Sequence, residues 1–434
     1  MSRRTRRAHV PSTLRLLVVL PFTAAALAAC GDAASTSPTA PPSARANESG
    51  GRGDFQRYVA IGTSVSMGWR SDGVFADFQE TSWPAQLARM AGREMSLPLI
   101  ADPGCRSPLV APLAAGVRRS GEAAATPAPL LSCAPLLDGV VLPAQNLAIN
   151  AALTRDALFT TPENVTDASN ARLYSRVLPS GATQVSAMIA QNPKIVSVEF
   201  GANELLGARE GAYQPGVTVV PTAYWEPQYM TLLDDVQGVA QKAVLAGLVD
   251  RVEDFPAFRT GAELYAARAT FAPFNVAVST DCDGSTNLLF VPVRVPVAVA
   301  NGVGRARAGL GPYTLSCANA PSSTGIKDYV LDVSDVAAID AQLAAMDAII
   351  LREANARGFA YFRLNALYGE TVTKAPFNAV TLMTSAEPYG PYVSLDGVHP
   401  SAAGAEVIAH AAAAALNARY DMGIGTSPNS PVLP

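Results

Sequence analysis

Three short polar motifs, far apart in the chain, contain residue types that together can perform acyl transfer. Ser64 follows a short apolar run that ends at Gly62, and Asn203 follows a second apolar run. Asp396 and His399 lie close together near the C-terminus. Acyl transfer by serine needs a hydroxyl nucleophile, a base, a carboxylate that orients the base, and donors for the oxyanion. The chain therefore has a candidate for each of these roles.

His399 is the best candidate for the general base. The chain has 3 histidines, of which His9 lies in a predicted export signal and His410 in the predicted closing helix. Histidine can accept a proton at neutral pH and return it to a leaving group. Asp396, in a predicted tight turn, can accept a hydrogen bond from the imidazole and fix the tautomer that faces serine. We predict a Ser64, His399 and Asp396 triad.

The order of the motifs resembles that of the SGNH hydrolases, also called GDSL esterases and lipases. Gly62-Thr63-Ser64 is similar to the first family block, Gly201-Ala202-Asn203-Glu204 to the Gly-x-Asn-Asp block, and Asp396-Gly397-Val398-His399 to the last block. Thr63 and Glu204 each stand where the family usually has Asp. The resemblance implies a serine ester hydrolase that works through an acyl-enzyme and needs no cofactor or metal.

The resemblance also implies an oxyanion hole built from backbone and side-chain N–H groups. Its members here would be the N–H of Ser64, the side-chain amide of Asn203 and the N–H of a glycine. Gly104, in Asp102-Pro103-Gly104-Cys105, is the best match for that glycine. Glycine lets a backbone approach a substrate closely. A Pro-Gly turn that leads into a disulfide is the alternative interpretation of Gly104.

Alternating apolar runs and helical patterns predict an α/β fold. Helical periodicity predicts a helix over 336–356 that ends at Gly358, and a last helix after Pro400 with Ser401 as its N-cap. With the family resemblance, these elements predict a three-layer α/β/α, flavodoxin-like fold in which Ser64 lies at the C-terminal edge of a mainly parallel sheet. Four apolar runs are typical of its buried strands, namely 58–61, 195–200, 243–249 and 359–364.

Two segments, about 109–144 and 271–322, do not fit a minimal α/β layer. The second contains a run with alternating valines and two prolines over 289–299. Proline suits an edge strand or a protruding hairpin and not a central strand, so this run predicts one of the two. We predict that both insertions shape or cover the substrate cleft, with simple surface decoration as the alternative.

Residues 1–30 are typical of an export signal. Arginines precede a short apolar run, and Leu27-Ala28-Ala29-Cys30 resembles the lipobox of bacterial lipoproteins, in which the cysteine is acylated. We therefore predict an exported protein that is anchored by lipid at Cys30 to a membrane of the bacterial cell envelope. An ordinary signal peptide or an anchor helix is the alternative. Residues 31–54 predict a flexible tether, 55–422 the hydrolase domain and 423–434 a flexible tail.

Cysteine and charge content narrow the class of protein further. Beyond Cys30, the chain has Cys105, Cys133, Cys282 and Cys317, an even number that predicts two disulfides in an exported protein. Of the three possible pairings, we favour 105 with 133 and 282 with 317, because each closes a local stretch. Without the arginines of the predicted signal, the chain has 27 Lys and Arg and 36 Asp and Glu, so its net charge is negative. With no basic run, this acidic surface argues against a nucleic-acid partner.

The sequence leaves the substrate open between two kinds of ester. A lipid or other acyl ester predicts an apolar cleft, whereas a polysaccharide O-acetyl ester predicts exposed aromatic and polar groups. A lipid-anchored binding protein without turnover is a further alternative, to which the departures at Thr63 and Glu204 point. The patterns predict no oligomeric state.

Overall fold

The computed structural model describes residues 53–320 and 327–425. The predicted signal peptide with Cys30, residues 31–52 of the predicted tether and residues 426–434 of the predicted tail lie outside the described residues. Among the described helices, none combines the length and the apolar character that crossing a bilayer requires.

The described chain alternates short strands with helices of very different length. The strands are β1 (Tyr58–Gly62), β2 (Ile195–Glu199), β3 (Lys242–Gly247), β4 (Phe258–Thr260), β5 (Val276–Val278), β6 (Leu288–Phe290), β7 (Tyr313–Leu315), β8 (Val330–Leu331) and β9 (Ala360–Arg363). The α-helices are α1 (Ser64–Met67), α2 (Ala76–Glu80), α3 (Trp83–Met90), α4 (Thr154–Phe159), α5 (Ala171–Val177), α6 (Gln184–Ala190), α7 (Asn203–Leu206), α8 (Thr222–Val239), α9 (Gly261–Ala266), α10 (Val291–Arg307), α11 (Val333–Arg357), α12 (Asn365–Tyr368), α13 (Ala379–Thr384) and α14 (Ala402–Tyr420).

A parallel sheet forms the centre of the molecule. Its order is β1-β2-β3-β9, and every neighbouring pair is parallel. Segment 145–149 runs beside the free edge of β1, where the N–H of Leu147 donates to the Ala60 carbonyl at 2.8 Å and that of Ile149 to the Gly62 carbonyl at 3.1 Å. All residues of β1 and β2 are buried, as expected for strands covered on both faces. The four predicted strands are confirmed.

Helices cover the sheet in two groups. On one side, α3 packs against α14, and α14 contacts β9 and β3. In the other group, α4, α6 and α8 pack against one another, α8 packs against α11, and α11 contacts β3 and β9. The predicted three-layer α/β/α class with a parallel central sheet is therefore confirmed. Two small sheets, β4-β6-β8 and β5-β7, lie outside this core sheet.

The two helices predicted from periodicity begin and end at capping residues. Asp332 accepts hydrogen bonds from the N–H groups of Ser334 and Asp335 at the start of α11, and Gly358, with φ +72°, ends it. Ser401 accepts a hydrogen bond from the N–H of Gly404 at 3.1 Å at the start of α14. The last helix therefore fixes the chain immediately before it, which contains the predicted Asp and His.

The valine-rich run in the second insertion is a helix, so the prediction of an edge strand or hairpin is wrong. Only β6 is extended, and α10 begins at Val291. Pro292 lies in the first helical turn, where no N–H is required. The buried side chains recur with helical spacing, whereas Val297 is 52% exposed. The buried residues of α10 are Val291, Val295, Ala298, Val299 and Gly302.

Two disulfides connect the four cysteines of the described residues. They join Cys105 to Cys133 and Cys282 to Cys317, which is the pairing favoured from the sequence. The first ties the segment before the 109–144 insertion to its interior. The second lies entirely within the 271–322 insertion, where it links the segment after β5 to the segment after β7.

Candidate active site

Ser64 lies at the carboxyl end of β1, where the strand passes directly into α1. Thr63 is extended, with φ −113° and ψ −156°, and Ser64 is the first residue of the helix. The Ser64 side chain is largely buried, at 5% exposure, and its Oγ lies 2.9 Å from Nε2 of His399. As the first helical residue, Ser64 has an N–H without an acceptor in the helix. The hydroxyl and this N–H thus lie at the same sheet edge.

His399 is oriented by Asp396 in the tight turn before α14. Oδ2 of Asp396 lies 2.9 Å from Nδ1 of His399, and Oδ1 accepts the N–H groups of Val398 at 3.0 Å and His399 at 2.8 Å. Asp72 donates its N–H to Oδ2 at 3.0 Å. Burial raises the pKa of Asp396, but the charge of His399 and these hydrogen bonds outweigh it and hold the pKa well below its usual range. Asp396 is therefore ionised at neutral pH.

The Asp-His turn depends on a glycine at position 397. Gly397 has φ +71°, and a Cβ there would lie 2.8 Å from the Tyr389 ring. The N–H of Ser394 donates to the His399 carbonyl at 2.9 Å, which closes the turn from the other side. The turn is consequently fixed by backbone bonds and by packing against one aromatic ring.

Glu199, which sequence reasoning did not single out, fixes the turn that carries Ser64. It ends β2, is 2% exposed, and accepts the N–H of Thr63 at 3.0 Å and the N–H of Ser66 at 3.2 Å. The hydroxyls of Thr63, at 2.8 Å, and Ser66, at 3.0 Å, donate to the same carboxylate. Thr63 therefore contacts, through its N–H and its hydroxyl, a carboxylate supplied by the neighbouring strand.

The environment of Glu199 also shifts its titration. Burial raises the pKa of Glu199 to about 6, although its hydrogen bonds with Thr63 and Ser66 act in the opposite direction. None of the ion pairs among the described residues involves Glu199. The Glu199 carboxylate therefore accepts hydrogen bonds from neutral donors alone. It takes up a proton when the pH falls to about 6.

Asn203 lies at the start of α7 and lines the same cleft as Ser64. Its Nδ2 donates one hydrogen to the Ala152 carbonyl at 2.9 Å. A side-chain amide has two N–H donors, so one remains for a ligand. The position agrees with the predicted role of Asn203 as a donor near the nucleophile.

Gly104 is not among the residues that line this cleft, so its predicted place in the oxyanion hole is corrected. Its N–H donates to the Ala101 carbonyl at 2.9 Å, and a Cβ there would lie 2.5 Å from the Val74 carbonyl oxygen. Gly104 has φ +102°. Close backbone packing in a turn therefore accounts for the glycine, as the alternative interpretation of the sequence held.

Among the described residues, Ala151 has an unpaired N–H close to the carbonyl that binds Asn203. It follows segment 145–149, which runs beside β1, and it has φ +59°, a conformation that favours glycine. Its neighbour Ala152 accepts the hydrogen bond from Asn203. Within the described residues, the N–H of Ala151 makes no hydrogen bond. Sequence reasoning missed it because an alanine stands at a position where a glycine was sought.

Glu204 contacts the start of α4 and does not contact the candidate triad. It is 2% exposed and accepts the N–H of Thr154 at 2.7 Å, at the start of α4. Burial raises its pKa. Trp225 donates to the hydroxyl of the same Thr154 at 2.9 Å. The glutamate thus ties α7 to α4 and indirectly positions Asn203.

An open cleft lies at Ser64, Asn203 and His399, with an empty volume of about 910 Å³ that includes the solvent at its mouth. Phe290, from the second insertion, contributes to its wall, whereas none of its lining residues comes from the first. Arg209 is the only arginine, lysine, aspartate or glutamate in the lining of the described cleft. The apolar lining comprises Val65, Ala202, Leu205, Leu206, Ala208, Leu248, Val249, Val252, Phe255, Phe258, Phe290, Leu331, Ile339, Leu343, Leu364 and Val398.

Comparison with known proteins gives structural neighbours only. No family model matches the chain, and no curated protein matches its sequence. Among solved structures, a variant of an acetyl xylan esterase from Geobacillus stearothermophilus is 13% identical, with a TM-score of 0.33, over 86% of this chain and 96% of that chain. A catalytic mutant of the same esterase is 11% identical, with a TM-score of 0.34 and the same shares. The fold and site described above stand on this chain's own geometry, independently of that likeness.

Proposed function

We propose that this protein is a serine hydrolase that cleaves carboxylic esters through an acyl-enzyme. The observation that carries the proposal is the continuous hydrogen-bonded series from Ser64 through His399 to Asp396, which opens on an apolar cleft. In this proposal Oγ of Ser64 attacks the ester carbonyl while Nε2 of His399 takes its proton. Ionised Asp396 stabilises the imidazolium that forms.

Collapse of the tetrahedral intermediate completes the first half of the reaction. The bond between the carbonyl carbon and the alkoxy oxygen breaks, His399 donates its proton to the departing alcohol, and the acyl group stays on Ser64. Water then attacks the acyl-enzyme with His399 as base, and the carboxylic acid leaves. The resident residues supply every proton transfer in this sequence.

We assign the oxyanion hole to the N–H of Ser64, the free side-chain N–H of Asn203 and the N–H of Ala151. All three lie after the carboxyl ends of adjacent parallel chain segments, where donors converge on a bound ligand. Ala151 replaces Gly104 in this assignment, because the latter uses its N–H within its own turn.

The proposed substrate is an ester with an apolar acyl chain. The walls of the cleft are aliphatic and aromatic, and burial of apolar surface contributes about 0.8 kcal/mol per methylene. A small polar acetyl group would leave most of these walls without contact. The apolar cleft therefore favours an acyl ester over a polysaccharide O-acetyl ester, and the hydrogen-bonded triad favours an enzyme over a binding lipoprotein.

We further propose that the mature protein is exported and acylated at Cys30, which would place the domain at a membrane surface. The signal and lipobox pattern of residues 1–30 supports this location. Cys30→Ala should release the protein from washed membranes in a bacterial host, whereas an equal membrane-bound fraction for both proteins would contradict lipid anchoring.

Ester hydrolysis by matched histidine variants tests the proposed activity. We expect the domain from residue 54 onward to hydrolyse 4-nitrophenyl esters, with kcat/KM rising from acetyl to octanoyl. His399→Ala should remove at least roughly a thousandfold of the rate. His410→Ala, in α14 and near Glu406, is the control and should keep it. Equal rates for wild type and His399→Ala would overturn the proposal, and a preference for acetyl would overturn the acyl-chain assignment.

A further inference from the structure

Arg209 is the one cation in the lining of the described cleft whose charge is always present. It lies in the 3₁₀ turn Gly207–Glu210, which directly follows α7 and its Asn203. The guanidinium Cζ lies 5.8 Å from the centroid of the Phe290 ring, itself part of the cleft wall. An arginine thus projects among apolar side chains close to the candidate nucleophile.

No carboxylate within the described residues pairs with Arg209. Its nitrogens make neither an ion pair nor a hydrogen bond there, and none of them is among the buried polar atoms sealed from solvent. Burial lowers the pKa of Arg209, although Asp72 and Glu210 act in the opposite direction. A guanidinium has five N–H donors, so Arg209, which is part of the cleft lining, has donors without a protein acceptor among the described residues.

The carboxylates that act on Arg209 are already bound by other cations. Asp72 forms ion pairs with Arg106 and with Arg118, each at 2.6 Å. Glu210 pairs with Lys327. Arg106, Arg118 and Lys327 therefore hold the carboxylates that act on Arg209, and Arg209 itself forms no ion pair among the described residues. An unpaired charge in an apolar wall costs free energy unless a ligand supplies the opposite charge.

We infer that Arg209 binds an anionic group of the substrate, so that the preferred ester combines an apolar acyl chain with a phosphate or a carboxylate. This inference rests on the proposed ester hydrolysis and specifies its substrate class. Arginine suits both anions, because its planar fork can donate two parallel hydrogen bonds to their oxygens. Stacking on Phe290 keeps the fork in place while leaving its N–H edge available.

Two pairs of substrates test the inference and distinguish the two anions. The phosphate pair is a 1-acylglycerol 3-phosphate and the corresponding 1-acylglycerol. The carboxylate pair is the 4-nitrophenyl monoester of adipic acid and 4-nitrophenyl hexanoate. We expect the wild type to prefer the anionic member of one pair by about ten- to a hundredfold in kcat/KM, the range of a charged hydrogen bond. The pair that shows the preference identifies the anion.

Arg209→Gln should abolish that preference, measured as the ratio of kcat/KM for the anionic and the neutral member of the pair, and Arg209→Lys should restore part of it. Arg268, which lies over the Tyr265 ring with 4.6 Å between Cζ and the centroid but outside the cleft, supplies the control. Arg268→Gln should leave the preference unchanged. Because each ratio uses the neutral ester as its reference, a folding defect lowers both rates and not their ratio.

Two results would overturn the inference. In the first, the wild type hydrolyses neutral esters at least as well as anionic ones in both pairs. In the second, Arg209→Gln keeps the full preference, which would leave Arg209 with only its stacking role on Phe290. Absence of hydrolysis for all four esters in folded wild type would instead contradict the proposed ester hydrolysis itself, so the two failures are distinguishable.

Discussion

The two halves of the candidate triad are fixed in different ways. The half that carries His399 is local, because Asp396 lies three residues away and its carboxylate accepts the N–H groups of the same turn. The half that carries Ser64 is long-range, because the carboxylate that fixes its turn is Glu199, 136 residues from Thr63. The same device, a carboxylate that accepts the N–H groups of a tight turn, is thus built once from neighbours in sequence and once from neighbours in the sheet.

This difference also separates the charge states of the two carboxylates. Asp396 faces the imidazole and backbone N–H groups, so its pKa lies well below the usual range. Glu199 faces only neutral donors, and burial raises its pKa to about 6. The local half therefore keeps its charge through the physiological range, whereas the long-range half loses its charge on mild acidification.

The largest expected effect comes from breaking the local half. Asp396→Asn keeps an oxygen for the backbone N–H groups but presents an amide to Nδ1 of His399, which favours the wrong tautomer. We expect kcat to fall by about 10⁴-fold with little change in KM. Steady-state kinetics on a 4-nitrophenyl ester measures this, with circular dichroism as the folding control. A loss of less than tenfold would contradict the orienting role of Asp396.

Removing the side-chain donor of the oxyanion hole should have the next largest effect. Asn203→Ala deletes an amide that the transition state needs more than the ground state does. We expect kcat to fall by about 10² to 10³-fold while KM stays within a factor of three. Asn203→Asp, similar in size but without the donor, should lose at least as much. An unchanged kcat with a raised KM would show that Asn203 only binds substrate.

A pH-dependent effect should come from the long-range half. Glu199→Gln imitates the protonated carboxyl, so the two proteins should have similar rates near pH 5 and diverge as the pH rises through about 6. Above that pH the wild type should be faster by about ten- to a hundredfold, the range for loss of a charged acceptor. A rate ratio that does not change with pH would contradict a positioning role for ionised Glu199.

The raised pKa of Glu199 also affects stability. As the pH rises, the free energy of unfolding should fall although the rate rises. The pKa of Glu199 in the folded state is raised from 4.5 to about 6, so the folded protein binds this proton more tightly than the unfolded chain. The stabilisation is present below about pH 4.5 and is lost as the pH rises through about 6. We expect denaturant titrations to show the free energy of unfolding of the wild type falling relative to Glu199→Gln across that window. A constant difference would contradict the shift.

The smallest effect should come from the glycine in the local turn. Gly397→Ala places a Cβ 2.8 Å from the Tyr389 ring at φ +71°, whereas Gly390→Ala, at φ +83°, meets no atom within 4 Å. Both substitutions carry the backbone cost of about 1 to 2 kcal/mol for a positive φ. Thermal unfolding should therefore show a lower Tm for Gly397→Ala than for Gly390→Ala. Equal Tm values would show that the ring accommodates the methyl group.

The sequence predicts the features that depend on local contacts and misses those that depend on long-range contacts. The strands, the two capped helices, both disulfides and the Asp396-His399 turn depend on short stretches whose residue types determine their structure. Glu199 was missed because a glutamate inside an apolar run gives no local signal of the turn it contacts. Ala151 was not considered beside Gly104, because the chain beside β1 can be recognised only once the sheet is assembled.

The valine-rich run shows a second limit. Its alternating pattern over 289–299 fits a strand, yet the chain forms α10, whose buried side chains recur at helical spacing. Over a short window, valines at every second position fit both the two-residue period of a strand and the 3.6-residue period of a helix. Proline in the first turn and a packing surface supplied by the 3₁₀ turn Arg268–Phe274, β5 and β7 favour the helix, which leaves Val297 exposed.

Covalent labelling of the nucleophile tests the central claim most directly. A fluorophosphonate reacts when the serine oxygen displaces fluoride from phosphorus, so the mass increase marks an activated hydroxyl. We predict one adduct, on the peptide that contains Ser64, in wild type and His410→Ala, and its loss in Ser64→Ala and His399→Ala. An adduct on another residue, or a Ser64 adduct that forms at the same rate without His399, would contradict a triad built on Ser64, His399 and Asp396.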